Sequence, residues 1–147
     1  MATITKFEDL IAWQKARVLT KRIYEMTRKD PYVRDFKLSS QIQSASVSIM
    51  ANIAEGFERA RRPEFHQFLS IAKSSCAEVR SHLYVALDAK YIGETEFNEI
   101  MSLAIEVGKI VGGLRAKIEE QKNSPLSPQY STLSTKQSQH STLSTQH

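Results

Sequence analysis

Apolar residues recur through most of the chain in steps of three and four. Ala12, Ala16, Leu19, Ile23 and Met26 form one such stripe, and Leu38, Ile42, Ala45, Ile49 and Ile53 form a second. Phe65, Leu69, Ala72, Cys76, Val79, Leu83 and Ala86 make a third, and Phe97, Ile100, Ala104, Val107, Val111, Leu114 and Ile118 a fourth. That spacing holds side chains on one face of an α-helix, so the pattern predicts four amphipathic helices. Punctuation between the stripes suggests their ends. Thr5 and Glu8 stand in capping-box spacing and are expected to open the first helix, which Asp30-Pro31 stops. Gly56 is expected to terminate the second, and Pro63 to occupy the first position of the third, with Glu64 near the positive end of its dipole. Gly93 then ends the third helix and Thr95 caps the fourth.

Four stripes that must each be covered imply one shared core, and short connections favour antiparallel neighbours. The expected architecture is an all-α, antiparallel up-down four-helix bundle over residues 1–122. From Asn123 onward the chain changes to Ser, Thr, Gln and Pro, and Ser131–Thr135 recurs as Ser141–Thr145. So little apolar surface cannot offset the entropy of ordering, so residues 123–147 are expected to form a disordered tail. Composition agrees with one helical domain: 147 residues, 41% hydrophobic, with Gly 5 and Pro 4. No apolar run approaches the roughly 20 residues that cross a bilayer. The lone Cys76 excludes an internal disulfide, and the first residues lack a secretory pattern, so a cytoplasmic location is expected.

Charge adds an asymmetry. Net charge is +4, yet residues 1–62 hold 12 Lys/Arg against 7 Asp/Glu, while residues 63–122 hold 7 against 9. The candidate contacts for a polyanion are therefore Lys15, Lys21, Arg22, Arg28, Lys29, Arg34 and Lys37 around the first helix, with Arg59, Arg61 and Arg62 as a second cluster. A solvated surface of mixed charge is the competing reading. Arg59, for example, can pair with Glu55 one helical turn away.

Catalytic patterns are weak by comparison. Glu78 and His82 stand four apart and alone, so neither a di-iron nor a zinc-protease ligand set is formed. Cys76 lies on an apolar stripe, as a structural thiol does, and no glycine-rich phosphate loop occurs. The expectation is a protein that is not an enzyme and has neither metal nor cofactor. Asn52 and Glu55 fall near the second stripe, where polar groups require partners. With Ser48, Ser74 and Ser75 they are expected to form a polar clamp between the second and third helices. Gly108, Gly112 and Gly113 each cost a helix roughly 1 kcal/mol relative to Ala and call for a close helix or subunit contact.

Several segments, read together, are more specific. Phe7-Glu-Asp-Leu10, Trp13-Gln14-x-Ala16, Leu38-x-x-Gln41-Ile42, Ser48-Ile49, Asn52-Ile-Ala-Glu-Gly56 and Phe65-x-x-Phe68-Leu69-x-Ile71-Ala72 resemble the bacterial 23S rRNA intervening-sequence protein family across residues 5–120. The resemblance implies a four-helix bundle, often a ring-shaped homopentamer, encoded in some bacteria within insertions in 23S rRNA genes. It also implies a relation to the accessory variability protein of diversity-generating retroelements, and hence association with nucleic acid. The chain departs from the family at Gln43 and Ser44, where a basic pair is usual, and at Ser74, where glycine is usual. Trp13, Tyr84 and Tyr91, off the main stripes, suggest apolar area left for a second copy. Two functions follow as expectations. One is a non-catalytic homo-oligomer that holds RNA or DNA through basic surfaces and is sensitive to salt. The other is an adaptor oligomer for a protein partner, such as a reverse transcriptase, whose binding survives salt.

Overall fold

A computed structural model describes residues 3–121. Four helices carry the chain: α1, Ile11–Thr27; α2, Phe36–Glu58; α3, Arg62–Asp88; and α4, Glu94–Glu120. Short 3-10 turns at Phe7–Asp9 and Tyr32–Arg34 precede α1 and α2, and no strand occurs among the described residues. Each helix packs on its neighbours in sequence, and α1 closes the ring against α4. The result is the expected antiparallel up-down bundle. Every residue of the four stripes is buried, and Leu10, Tyr32, Ile92, Met101 and Ile110 join them in the core. No described helix is long and apolar enough to cross a membrane. The tail expected over residues 123–147 lies outside the described residues.

The helix ends depart from the sequence expectations in instructive ways. The Thr5/Glu8 capping box does not form: α1 starts at Ile11, after the 3-10 turn, and its cap position is Leu10 with no side-chain cap bond. Leu10 is fully buried, so core packing rather than a polar cap sets where the helix enters. Asp35 takes the capping role for α2, its carboxylate accepting from the Leu38 amide at 3.0 Å and from the Tyr91 hydroxyl at 2.8 Å. These two bonds hold the Asp35 carboxyl below its ordinary value, the backbone one contributing most.

Gly56 does not end α2. The helix runs on to Glu58, and Ala60 takes the left-handed conformation at φ 60°. Gly56 is buried, and a Cβ placed there would lie 2.7 Å from the Phe68 Cβ and 3.0 Å from Phe65 Cδ1. It is the point where α3 can approach α2. Pro63 is the second residue of α3, one place later than expected. Gly93 does not close α3, which ends at Asp88. The left-handed residue there is Lys90, at φ 65°, followed by a Tyr91 amide bonded to the Ala86 carbonyl at 2.9 Å. That six-residue return is a Schellman closure, held in place as Ile92 enters the core and the Tyr91 ring packs 5.1 Å from Tyr32. Gly93 is instead the extended N-cap of α4, and Thr95 lies inside the helix.

Candidate nucleic-acid interface

Six of the ten basic residues expected to meet a polyanion, Lys15, Arg22, Lys29, Arg34, Arg59 and Arg61, instead meet carboxylates. Lys15 pairs with Glu106 at 3.4 Å, Arg22 with Glu99 at 3.1 Å and Lys29 with Glu96 at 3.0 Å. The first two pairs join α1 to α4, and the third joins the turn just after α1 to α4. The excess positive charge of the first half and the excess negative charge of the second are therefore partly the two sides of one helix seam. Arg34 pairs with Asp30 at 3.2 Å. Lys21, Arg28 and Lys37 form no ion pair among the described residues, although Arg28 donates its Nε to the Tyr24 carbonyl.

The cluster between α2 and α3 is likewise occupied. Arg59 reaches Glu55 at 3.5 Å and Glu64 at 3.4 Å, and its guanidinium lies 5.3 Å from the Phe68 ring centre. Arg61 reaches the other Glu64 oxygen at 3.5 Å. Arg62 is buried at 6% exposure, which removes it from the surface where phosphates would be met.

The polar clamp contains three of its five expected members. Asn52 Nδ2 donates to the Ser48 carbonyl at 2.8 Å and to Ser48 Oγ at 3.0 Å, and Ser48 Oγ lies 3.0 Å from Ser75 Oγ on α3. Glu55 is excluded. Two residues beyond the core position Ile53, it has rotated outward to meet Arg59. Ser74 is exposed, because Ser75 and Cys76 occupy the inward side of that turn. Gln43, standing where a basic residue was usual, donates to Thr27 Oγ1 at 2.8 Å and ties α2 to the end of α1.

A further set of cations without ion pairs lies between α3 and α4. A groove of about 600 Å³ runs between α3 and α4, and Lys73, Arg80, Lys109 and Arg115 line it without any acidic residue. None of the four forms an ion pair among the described residues. Arg115 is aimed by a bond from its Nε to Ser70 Oγ at 2.8 Å, and Ser70 in turn donates to the His66 carbonyl at 3.0 Å. Gly108 and Gly112 form part of the floor. A Cβ at Gly108 would sit 3.8 Å from the Cys76 Cβ, and one at Gly112 would meet only the end of the Lys73 side chain, at 3.4 Å. The expected close helix contact is thus not what these two glycines supply; they leave depth between helices. Cys76 is buried beneath, and burial pushes its thiol up to about 12, against the opposing pull of Lys73 and Arg80.

None of these four cations was singled out by the first-half charge excess. The signal that carries them is local: Lys73 and Arg80 are two turns apart on one helix, and Gly108 and Gly112 one turn apart on the next. Chemically, a concave strip with four cations, a serine hydroxyl and shallow glycine positions suits a run of phosphate oxygens.

Comparison with known proteins covers most of the bundle. The family model of the 23S rRNA-intervening sequence protein matches residues 8–113. Among solved structures, the chain is similar to a protein of unknown function from the S23 ribosomal protein family of Bacteroides thetaiotaomicron VPI-5482. The identity is 25% and the TM-score 0.63, over 69% of this chain and 94% of that one. No curated protein matches the sequence.

Proposed function

The chain belongs to the 23S rRNA-intervening sequence protein family, and we propose that it is a non-catalytic RNA-binding bundle whose main phosphate contact is the α3–α4 groove. The observation that carries this reading is the set of Lys73, Arg80, Lys109 and Arg115, four cations on one concave surface with no carboxylate in its lining. Lys15, Arg22, Lys29, Arg34, Arg59, Arg61 and Lys117 are engaged with acids, whereas none of the four groove cations is, so the groove offers a polyanion a strong local field. Assembly into a homo-oligomer would present one groove per subunit and raise affinity through effective concentration. Tyr84 and Val85, 55% and 47% exposed, leave apolar area for such a contact. Each of the three aromatic rings expected at such a contact is also engaged within the subunit, Trp13 with Phe7, Tyr84 with Phe97 and Tyr91 with Tyr32.

Titration of the full-length protein with a labelled RNA across a salt series tests the proposal. Four phosphate contacts release about 0.7 to 0.9 counterions each, so log affinity falls against log salt with a slope of roughly −3 per groove. Absent binding, or binding indifferent to salt, would reject the reading and favour the adaptor for a protein partner. Light scattering on the same sample gives the oligomeric state.

A further inference from the structure

Phe36 is the most exposed large apolar side chain among the described residues, at 78%, although it opens a helix whose stripe from Leu38 to Ile53 turns inward. Its backbone is not loose. Asp35, immediately before it, binds the Leu38 amide with one carboxylate oxygen and the Tyr91 hydroxyl with the other, which anchors the first turn of α2 to the segment after α3. The ring stands at the edge of a cavity of about 770 Å³ that Arg28 and Lys37 also line, with Ser40 and Gln41 beside them. No acidic residue lines that cavity. The neighbouring Asp35 has both oxygens committed, and Asp30 is held by Arg34 at 3.2 Å.

We infer that Phe36 is a stacking platform for an unpaired nucleobase, with Arg28 and Lys37 placed to hold the adjoining phosphates. The inference rests on the RNA-binding reading and adds to it a preference for single-stranded nucleic acid. An aromatic face beside cations is the combination that binds single strands without regard to sequence, because every base offers a π face and every linkage a charge. A docked protein helix would need an apolar wall opposite the ring. Here Val33 is the one aliphatic residue lining the cavity besides the ring, and the rest of the wall is hydroxyl and amide: Thr27 and Gln43, already bonded to each other, with Ser39, Ser40 and Gln41. A duplex keeps its bases stacked inside, so it can use the cations but not the ring.

The experiment compares wild type, Phe36→Ala and Phe36→Trp in the full chain, each titrated with a labelled single-stranded RNA of roughly 12 nucleotides and with the same strand annealed to its complement. Phe36→Ala is expected to weaken single-strand binding by about 5- to 150-fold per stacked base, leave duplex binding and both salt slopes unchanged, and be rescued by Phe36→Trp. Because the side chain is mostly exposed and the Asp35 cap does not involve it, melting temperature serves as the control for folding. Unchanged single-strand binding in Phe36→Ala, while loss of groove cations still weakens it, overturns the platform and leaves the RNA reading intact. No binding of either RNA by wild type overturns both. A smaller particle in light scattering of Phe36→Ala also overturns it, because the ring would then cover a contact between subunits.

Discussion

The two seams that α4 makes with its neighbours are opposite in charge design. Against α1 and the turn that follows it, its acids Glu106, Glu99 and Glu96 meet Lys15, Arg22 and Lys29, and the seam ends close to neutral. Against α3, cation faces cation: Lys73 and Arg80 on one helix, Lys109 and Arg115 on the other. Ion pairs at the first seam register the helices and engage charge that the sequence total counts as available. Repulsion at the second is tolerated because the side chains spread around a groove rather than touching, and it leaves a field that a polyanion can neutralise. Net charge by segment therefore misleads about where charge is left unpaired: the cations of the basic half of the sequence are the more compensated ones.

Charge removal at the two seams breaks or sustains that contrast with the largest expected effect. Replacing Lys73, Arg80, Lys109 and Arg115 together by Gln should lower RNA affinity at about 0.1 M salt by roughly 10²- to 10³-fold and flatten the salt slope by about 3. Replacing Lys15, Arg22 and Lys29 by Gln should change affinity by less than about threefold, since those charges are already screened by partners at 3.0–3.4 Å. Equal losses in the two variants, measured by fluorescence anisotropy, would mean the pairs open on binding and the contrast is false.

Glycines sharpen the same comparison through packing. At the α2–α3 seam, Gly56→Ala drives a methyl to 2.7 Å from the Phe68 Cβ, which is not the free end of a flexible chain, and overpacking should cost about 1–3 kcal/mol in a urea melt. In the α3–α4 groove, Gly108→Ala meets only ordinary contact with Cys76 and gains helix propensity. It should stabilise by about 0.5–1 kcal/mol while making the groove shallower and RNA binding weaker. A destabilised Gly108→Ala would show that this glycine serves close packing after all.

Residue periodicity carried the bundle and its core, because burial on a helix face is a local property repeated along the chain: each stripe from Ala12 to Ile118 is inside. Helix ends were less legible, since Leu10 is placed by burial in the core, and Ala60 and Lys90 take the left-handed conformation where glycine is the usual signal. Site residues were the least legible. Whether Arg22 is free depends on Glu99, 77 positions later, and that pairing exists only once the helices are in register. Asn52 and Ser48 were readable as a clamp because both lie on one helix face, whereas the choice of Ser75 over Ser74 turned on a rotation of one residue.

Cys76 reports on the floor of the groove through pH. Burial holds its thiol neutral up to about 12, whereas the unfolded chain ionises near 8.5. The group therefore favours the fold fully below that lower value, and the contribution declines as pH rises toward the folded one. Stability should fall by roughly 0.4–0.8 kcal/mol between pH 7.5 and 9 for this residue, and Cys76→Ala should flatten that part of the curve. The same alkaline loss in Cys76→Ala would place the thiol in contact with water through the groove.

The smallest expected effect belongs to the α1–α4 pairs themselves. Lys15, Arg22 and their partners are roughly 40–60% exposed, with side-chain values of 44% and 48% for Lys15 and Glu106, and 37% and 57% for Arg22 and Glu99. Exposed pairs contribute about 0.2–1 kcal/mol each, because water already solvates both charges and holding two long side chains costs entropy. The triple Gln variant should thus melt only a few degrees below wild type at low salt. At 1 M salt, where the screening length is about 3 Å, the difference should nearly vanish. A larger deficit that persists in high salt would assign the loss to packing of the aliphatic stems of these side chains against α4 rather than to charge. The seam would then be held by apolar contact, and the neutral pairing across it would be a consequence of close approach instead of its cause.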